Sequence, residues 1–238
     1  MSSPTCNLEP SQRPKLTKRP EAAPPPAWAL EGTEELQTRP GFVRAALTGG
    51  MGTGKSTVAE LLTAFGAELI DFDQLARQAL LPESPGWSQT VELFGPKIVN
   101  ADQTLDRAKI ASVIFKKPLI RQALEDIVHP LAWDLMRQKL VSLKDSPLII
   151  IDVPLLFEAN LNSLFHPIIV SFAAFETQYQ RLRARDPHRS RSLTKKMIRA
   201  QMPIAEKIRL ADAIINNSGS LVQLIRQTKE LWRRLTKM

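Results

Sequence analysis

Gly49-Gly50-Met51-Gly52-Thr53-Gly54-Lys55-Ser56 decides the fold. From Gly49 onward it fits G-x-x-x-x-G-K-[ST], the spacing of a phosphate-binding loop. Glycines let such a loop wrap tightly and bring backbone N–H groups against phosphate oxygens. A helix opening at the end of the loop aims its positive end at the same place. Lys55 adds a point charge near the β- and γ-phosphates, and the Ser56 hydroxyl can hold Mg²⁺. The flanks agree: Phe42–Leu47 is a short apolar run, and Val58, Leu61, Leu62 and Phe65 follow at helical spacing.

Working outward, Glu68–Ile70 is a second short strand, closed by Asp71-Phe72-Asp73. Residues 74–145 are mostly helical by period, with breaks at Pro82–Gly86 and Gly95-Pro96, and His129-Pro130 reads as a further break. Pro147–Val153 and Pro167–Phe172 read as buried parallel strands. Two helices are expected between Phe172 and Ala213, with Arg185–Arg191 as a polar hinge, then a strand over Ala213–Ile215 and an amphipathic helix over Leu221–Leu235. In that helix Leu221, Leu224, Ile225 and Leu231 are expected in the core. Apolar strands alternating with helices indicate an α/β fold with a doubly wound parallel sheet, and the long helical stretch reads as an insertion.

Residues 1–40 differ in character. They hold eight of the eighteen prolines and show no apolar periodicity, so they are expected to form an unpacked tail ahead of one domain over 41–238. Their five basic and five acidic residues cancel, leaving the net charge of +8 to the rest of the chain. That excess suits an anionic small substrate or nucleic acid, and the absence of a continuous basic stripe favours the small molecule. The single cysteine, the missing apolar leader and the lack of a membrane-length apolar run predict a cytoplasmic protein without a membrane. Oligomeric state is not legible.

A phosphate cradle is shared by small-molecule kinases, GTPase switches and nucleic-acid motors. No Asn-Lys-x-Asp base-reading motif is present, and the chain is short for a motor. Asp71 and Asp73 end the second strand, where ligands of an open parallel sheet gather. In extended chain both carboxylates would face one way, one serving an acceptor hydroxyl and the other the metal. Capping of a following helix is the alternative.

The run Leu47–Thr57 resembles the opening of dephospho-coenzyme A kinases. The similarity continues through Ile70-Asp71-Phe72-Asp73, Phe94-Gly95, Leu105-Asp106-Arg107, His129-Pro130 and Pro154-Leu155-Leu156-Phe157-Glu158. It ends with Gln178, Arg181, Arg185-Asp186, Gln201, Ala211-Asp212 and Asn216. The resemblance implies transfer of the ATP γ-phosphoryl group, with Mg²⁺, to the ribose 3′-hydroxyl of dephospho-coenzyme A. It also implies a five-stranded core, a helical acceptor-binding region within 74–145 and a lid near 181–200. Carried over by position, Gly52, Thr53, Gly54, Lys55, Ser56 and Thr57 meet ATP, with Arg181 and Arg185 at the lid and Asn216 near the adenine. Asp73 becomes the base or orienter of the hydroxyl, and Asp71, Arg107 and His129 lie on the acceptor side. Phe72, Asp152 and the proline-rich N-terminus depart from the family pattern.

Overall fold

The structure, a computed structural model, describes residues 23–30, 33–38 and 40–238. Five parallel strands, β1 (Val43–Gly49), β2 (Glu68–Asp71), β3 (Leu148–Asp152), β4 (Ile168–Phe172) and β5 (Ala213–Asn216), form one sheet in the order β2-β3-β1-β4-β5. All seven residues of β1 are buried, because helices cover both faces of the sheet. Alternation sends Val43, Ala45 and Leu47 into the core beneath α1 (Lys55–Ala64) and α9 (Leu221–Leu235). Ala46, Ile149 and Ile151 face the other core, built on Trp133 and Met136 of α5 (Pro118–Ser142).

The helical region divides into α2 (Phe72–Gln78), α3 (Pro85–Phe94), α4 (Arg107–Ile114) and α5. The expected break at His129-Pro130 is corrected: Pro130 lies inside the 25-residue α5. Proline costs that helix a donor, but Val128, Ala132, Trp133, Met136 and Leu140 form one buried stripe across the site and hold it. Beyond β4, three helices replace the expected two. These are α6 (Phe175–Arg185), α7 (Arg191–Arg199) and α8 (Ile204–Arg209), the last two parted by the extended Pro203.

In α9 the buried stripe is Leu224, Thr228, Leu231 and Leu235, whereas Leu221 and Ile225 are exposed. Their expected core placement is thus corrected: Ile225 sits one position off the stripe, and Leu221 lies in the first turn beside the cleft described below.

The expectation of an unpacked segment through residue 40 is also corrected. Ala27–Ala29 and Thr33–Leu36 form short 3₁₀ turns against α5, burying Ala29 and Leu36. The Thr38 hydroxyl donates to the His166 carbonyl (2.6 Å) and accepts from the Arg44 amide (3.1 Å). Residues 1–22, 31, 32 and 39 of the predicted tail lie outside the described residues. Trp28 and Leu36 supply enough apolar surface to dock a segment that has no period to reveal it.

Candidate active site

Beyond the carboxyl ends of the strands lies a cleft of about 810 Å³, lined by the glycine loop, Asp71, Asp73, Asp152, Arg181 and Arg185 among others. The loop is held from behind. Gly52 (φ 74°) and Gly54 (φ 79°) take left-handed backbone, and a Cβ on Gly52 would meet the Gln178 carbonyl at 2.7 Å. Thr53 is fully buried and donates from its hydroxyl to the Gly50 carbonyl (2.8 Å), so its side chain shapes the loop and does not face the cleft. Asn217 Nδ2 donates to the Thr53 carbonyl (2.8 Å), and Arg181 donates to the Gly52 and Thr53 carbonyls (3.4 and 3.3 Å). Gln201 Oε1 accepts from the Met51 amide (2.7 Å). The first amides of α1, at Lys55 and Ser56, precede any carbonyl of the helix that could accept from them and open on this cleft.

Lys55 pairs with the carboxylate of Asp152, a residue at the end of β3 that stands in register with Asp71 of β2. Burial pushes the Asp152 pKa up; Lys55 opposes the shift, while Asp71 and Asp73 add to it. Asp152 thus belongs to the site, and its sequence signal was a lone carboxylate ending an apolar strand.

Asp71 and Asp73 do not share a strand, which corrects the extended-chain expectation. Asp71 caps α2, accepting from the Gln74 amide (3.0 Å), and the helix begins at Phe72. Asp73 therefore projects from the first helical turn. It remains open to the cleft, yet its surroundings strip enough water to raise its pKa; Lys55 and Arg77 pull it down, and Asp71 pushes it further up. Phe72, with its larger side chain, is buried edge-on against Trp133.

Arg107 and His129 lie apart from the loop, together on a groove of about 290 Å³ between α2, α4 and α5. Burial lowers the His129 pKa, against the pull of Glu125 and Asp126. Asn216 is not among the residues lining the cleft: its side-chain oxygen accepts from the Ser218 amide, and Gln227 holds its backbone. Its neighbour Asn217 lines the cleft instead, along with Gly219 and Leu221, and the sequence reading missed all three. A one-residue step at a strand end exchanges the two sides of the sheet, so neighbours in sequence border different spaces.

Among the described residues, no group of three His, Cys, Asp or Glu side chains is placed to hold a metal ion alone, and no helix is long and apolar enough to cross a membrane.

A glycine loop on the central strand, its lysine paired to a neighbouring strand end, and an open carboxylate across the cleft define a P-loop kinase. The family model for dephospho-CoA kinase matches residues 43–223. The dephospho-CoA kinase of Carboxydothermus hydrogenoformans is 41% identical over 177 residues, covering 74% of this chain and 85% of that one. The Geobacter metallireducens dephospho-CoA kinase is 39% identical over 189 residues, covering 79% and 94%. A crystal structure of a Thermus thermophilus protein superposes with a TM-score of 0.72 at 34% identity, covering 83% of this chain and 99% of that one. The chain belongs to the dephospho-CoA kinase family.

Proposed function

We infer that the protein transfers the γ-phosphoryl group of ATP to the ribose 3′-hydroxyl of dephospho-coenzyme A, forming coenzyme A and ADP. One observation carries the reading beyond family membership: Asp73 lines both the phosphate cleft and the adjoining recess beneath His129. A hydroxyl held at Asp73 therefore stands between the donor and acceptor sides.

The glycine-loop amides and the first turn of α1 receive the phosphate chain. Lys55 leaves Asp152 to meet the γ-phosphate, and Asp152 is freed toward the metal side. Arg181 and Arg185, four apart on α6, neutralise the charge from above, with α7 closing as the lid. The adenine of ATP lies toward Asn217, Gly219 and Leu221, where polar groups border an apolar floor. Ser56, with Asp152 on the same cleft, would hold Mg²⁺, which would supply positive charge to offset that developing on the phosphate chain. Asp73 accepts the hydroxyl hydrogen bond and orients the oxygen for in-line attack, its raised pKa making it a better acceptor than an ordinary aspartate. Arg77 and Arg107 lie where the acceptor's diphosphate can reach them, and the apolar α4–α5 groove suits its pantetheine arm. The reading places the enzyme in the cytoplasm and assigns it no nucleic-acid partner.

A coupled ADP-release assay with dephospho-coenzyme A, adenosine, AMP and single-stranded RNA tests this. Dephospho-coenzyme A is expected to be the preferred acceptor by orders of magnitude in kcat/KM. Stimulation by RNA and by no small acceptor would overturn the assignment.

A further inference from the structure

Trp28 lies outside residues 43–223, the part of the chain that the family model matches, yet it stands at the acceptor side of the site. Its ring lies 5.6 Å from that of His129 at a 48° tilt, and meets Trp133 edge-on at 5.7 Å. With Phe72, Asp73, His129, Pro154 and Leu155 it lines a recess of about 90 Å³. That recess shares Asp73 and Pro154 with the phosphate cleft, and Ala76, Val128 and His129 with the α4–α5 groove. Arg77 lines both the cleft and the groove, so the three cavities adjoin one another, and Trp28 stands at the recess that borders both of the others.

Its placement is anchored. Ala29 next to it is fully buried, Leu36 is 1% exposed, and Thr38 ties the segment to both His166 and Arg44. Trp28 packs against the core only in part, being half-buried, and the rest of the indole lines the recess.

The acceptor's chemistry specifies what the recess must take. In dephospho-coenzyme A the 3′-hydroxyl and the adenine are carried by one ribose. If that hydroxyl is at Asp73, the base lies one sugar away, in the direction of the aromatic recess. Aromatic side chains bind nucleobases through their π faces with little dependence on hydrogen-bond pattern. We propose that Trp28 forms an aromatic wall for the acceptor's adenine, so that an N-terminal segment outside the family match completes the acceptor site. This rests on the function proposed above.

The test compares Trp28→Leu with Trp28→Phe in the full chain. Leucine keeps apolar bulk against Trp133 but removes the π face, whereas phenylalanine keeps both. Trp28→Leu should raise the KM for dephospho-coenzyme A, and its Kd measured without ATP, on the order of tenfold, leaving the KM for ATP unmoved. Trp28→Phe should recover most of that loss. A Leu variant with wild-type acceptor KM, or equal rises in both substrate KM values in the two variants, would mark Trp28 as a core wedge and sink the inference alone. Failure of the wild-type chain to phosphorylate dephospho-coenzyme A would overturn the function and this inference together.

Discussion

Lys55 and Asp152 hold each other at the floor of the cleft, so an incoming nucleotide meets a lysine that already has a partner. Exchange of one anion for another keeps the lysine in place without leaving it unpaired between turnovers. Lys55→Ala should therefore lower kcat/KM on the order of a hundredfold or more while the fold survives, and near-normal turnover would remove the lysine from the transition state. Asp73→Asn should reduce turnover on the order of a hundred- to ten-thousandfold with ATP affinity unchanged. The loose transition state of phosphoryl transfer favours the lower part of that range. Single-turnover phosphorylation measured beside nucleotide binding decides it; a wild-type rate would show that Asp73 is the wrong aspartate. The raised pKa of Asp73 gives the same substitution a stability signature. Below the ordinary carboxylate value of 3.8 the folded and unfolded chains both hold the proton, and the group contributes nothing to the balance. As pH rises past the folded-state value, the folded chain must carry a poorly hydrated charge that the unfolded chain carries freely. Ionised Asp73 thus opposes folding at neutral pH, and Asp73→Asn should melt higher than wild type at pH 7, with the gain vanishing in acid. A lower Tm at pH 7 would contradict the burial argument.

Helix α9 carries a buried threonine hydroxyl at Thr228 that finds no hydrogen-bond partner, in the middle of its Leu224–Leu235 stripe. Valine has nearly the same shape without the desolvated oxygen, so Thr228→Val should stabilise by about 1 kcal/mol. For a chain of this size that is a rise in Tm of roughly 2–4 °C, read by calorimetry; an unchanged or lower Tm would mean that the hydroxyl is satisfied in solution. The same helix shows what sequence discloses. Its period gives existence, span and general face, because 3.6-residue spacing follows from helix geometry. Its ends escape, because Leu221 leaves the core to border a cleft formed by a loop far away in sequence. Asp152 was visible as a charge ending an apolar strand, but its pairing with Lys55 is tertiary and leaves no local mark. Pro130 misled because local propensity predicts a break, and the packing of Trp133 and Met136 overrides it. The 3₁₀ turns around Trp28 and Leu36 have no period at all, so only docking reveals them. Leu36→Ala should cost about 2–4 kcal/mol, the usual penalty for emptying such a site, and a cost under about 0.5 kcal/mol would show the segment to be loosely held.

At the scale of the whole molecule, the proposed reaction brings two substrates together at Asp73 from a set of adjoining cavities. The phosphate cleft is bordered by α6 and by Gln201 just beyond α7, while the proposed acceptor groove belongs to α2, α4 and α5. Each end of the proposed lid is tied down. Arg181 of α6 grips the loop carbonyls and donates to the Asn217 carbonyl (2.9 Å), and beyond α7 Gln201 grips the Met51 amide. Glu158 then accepts from the Met202 amide (3.0 Å) and pairs with the fully buried Lys207 (2.8 Å), fixing α8 to the loop after β3. Between these anchors only Thr194 of α7 is buried, so α7 has little apolar contact opposing its movement. Motion should therefore be confined to α7, with bends near Asp186–Ser190 and Ala200–Pro203. Hydrogen exchange with each ligand alone separates the two sides. A non-hydrolysable ATP analogue should slow exchange in the glycine loop and α7 and leave α4 as it was. Dephospho-coenzyme A should slow exchange in α2, α4 and the middle of α5 around His129, with little change in α7. A fourth cavity of about 410 Å³, sharing no lining residue with these three, lies between β5 and the basic face of α9 at Arg226, Lys229 and Arg233. Its charge makes it the natural competitor for a diphosphate. Protection by dephospho-coenzyme A at β5 and α9, with none at α4 or His129, would move the acceptor to that face and break the link between Asp73 and the hydroxyl.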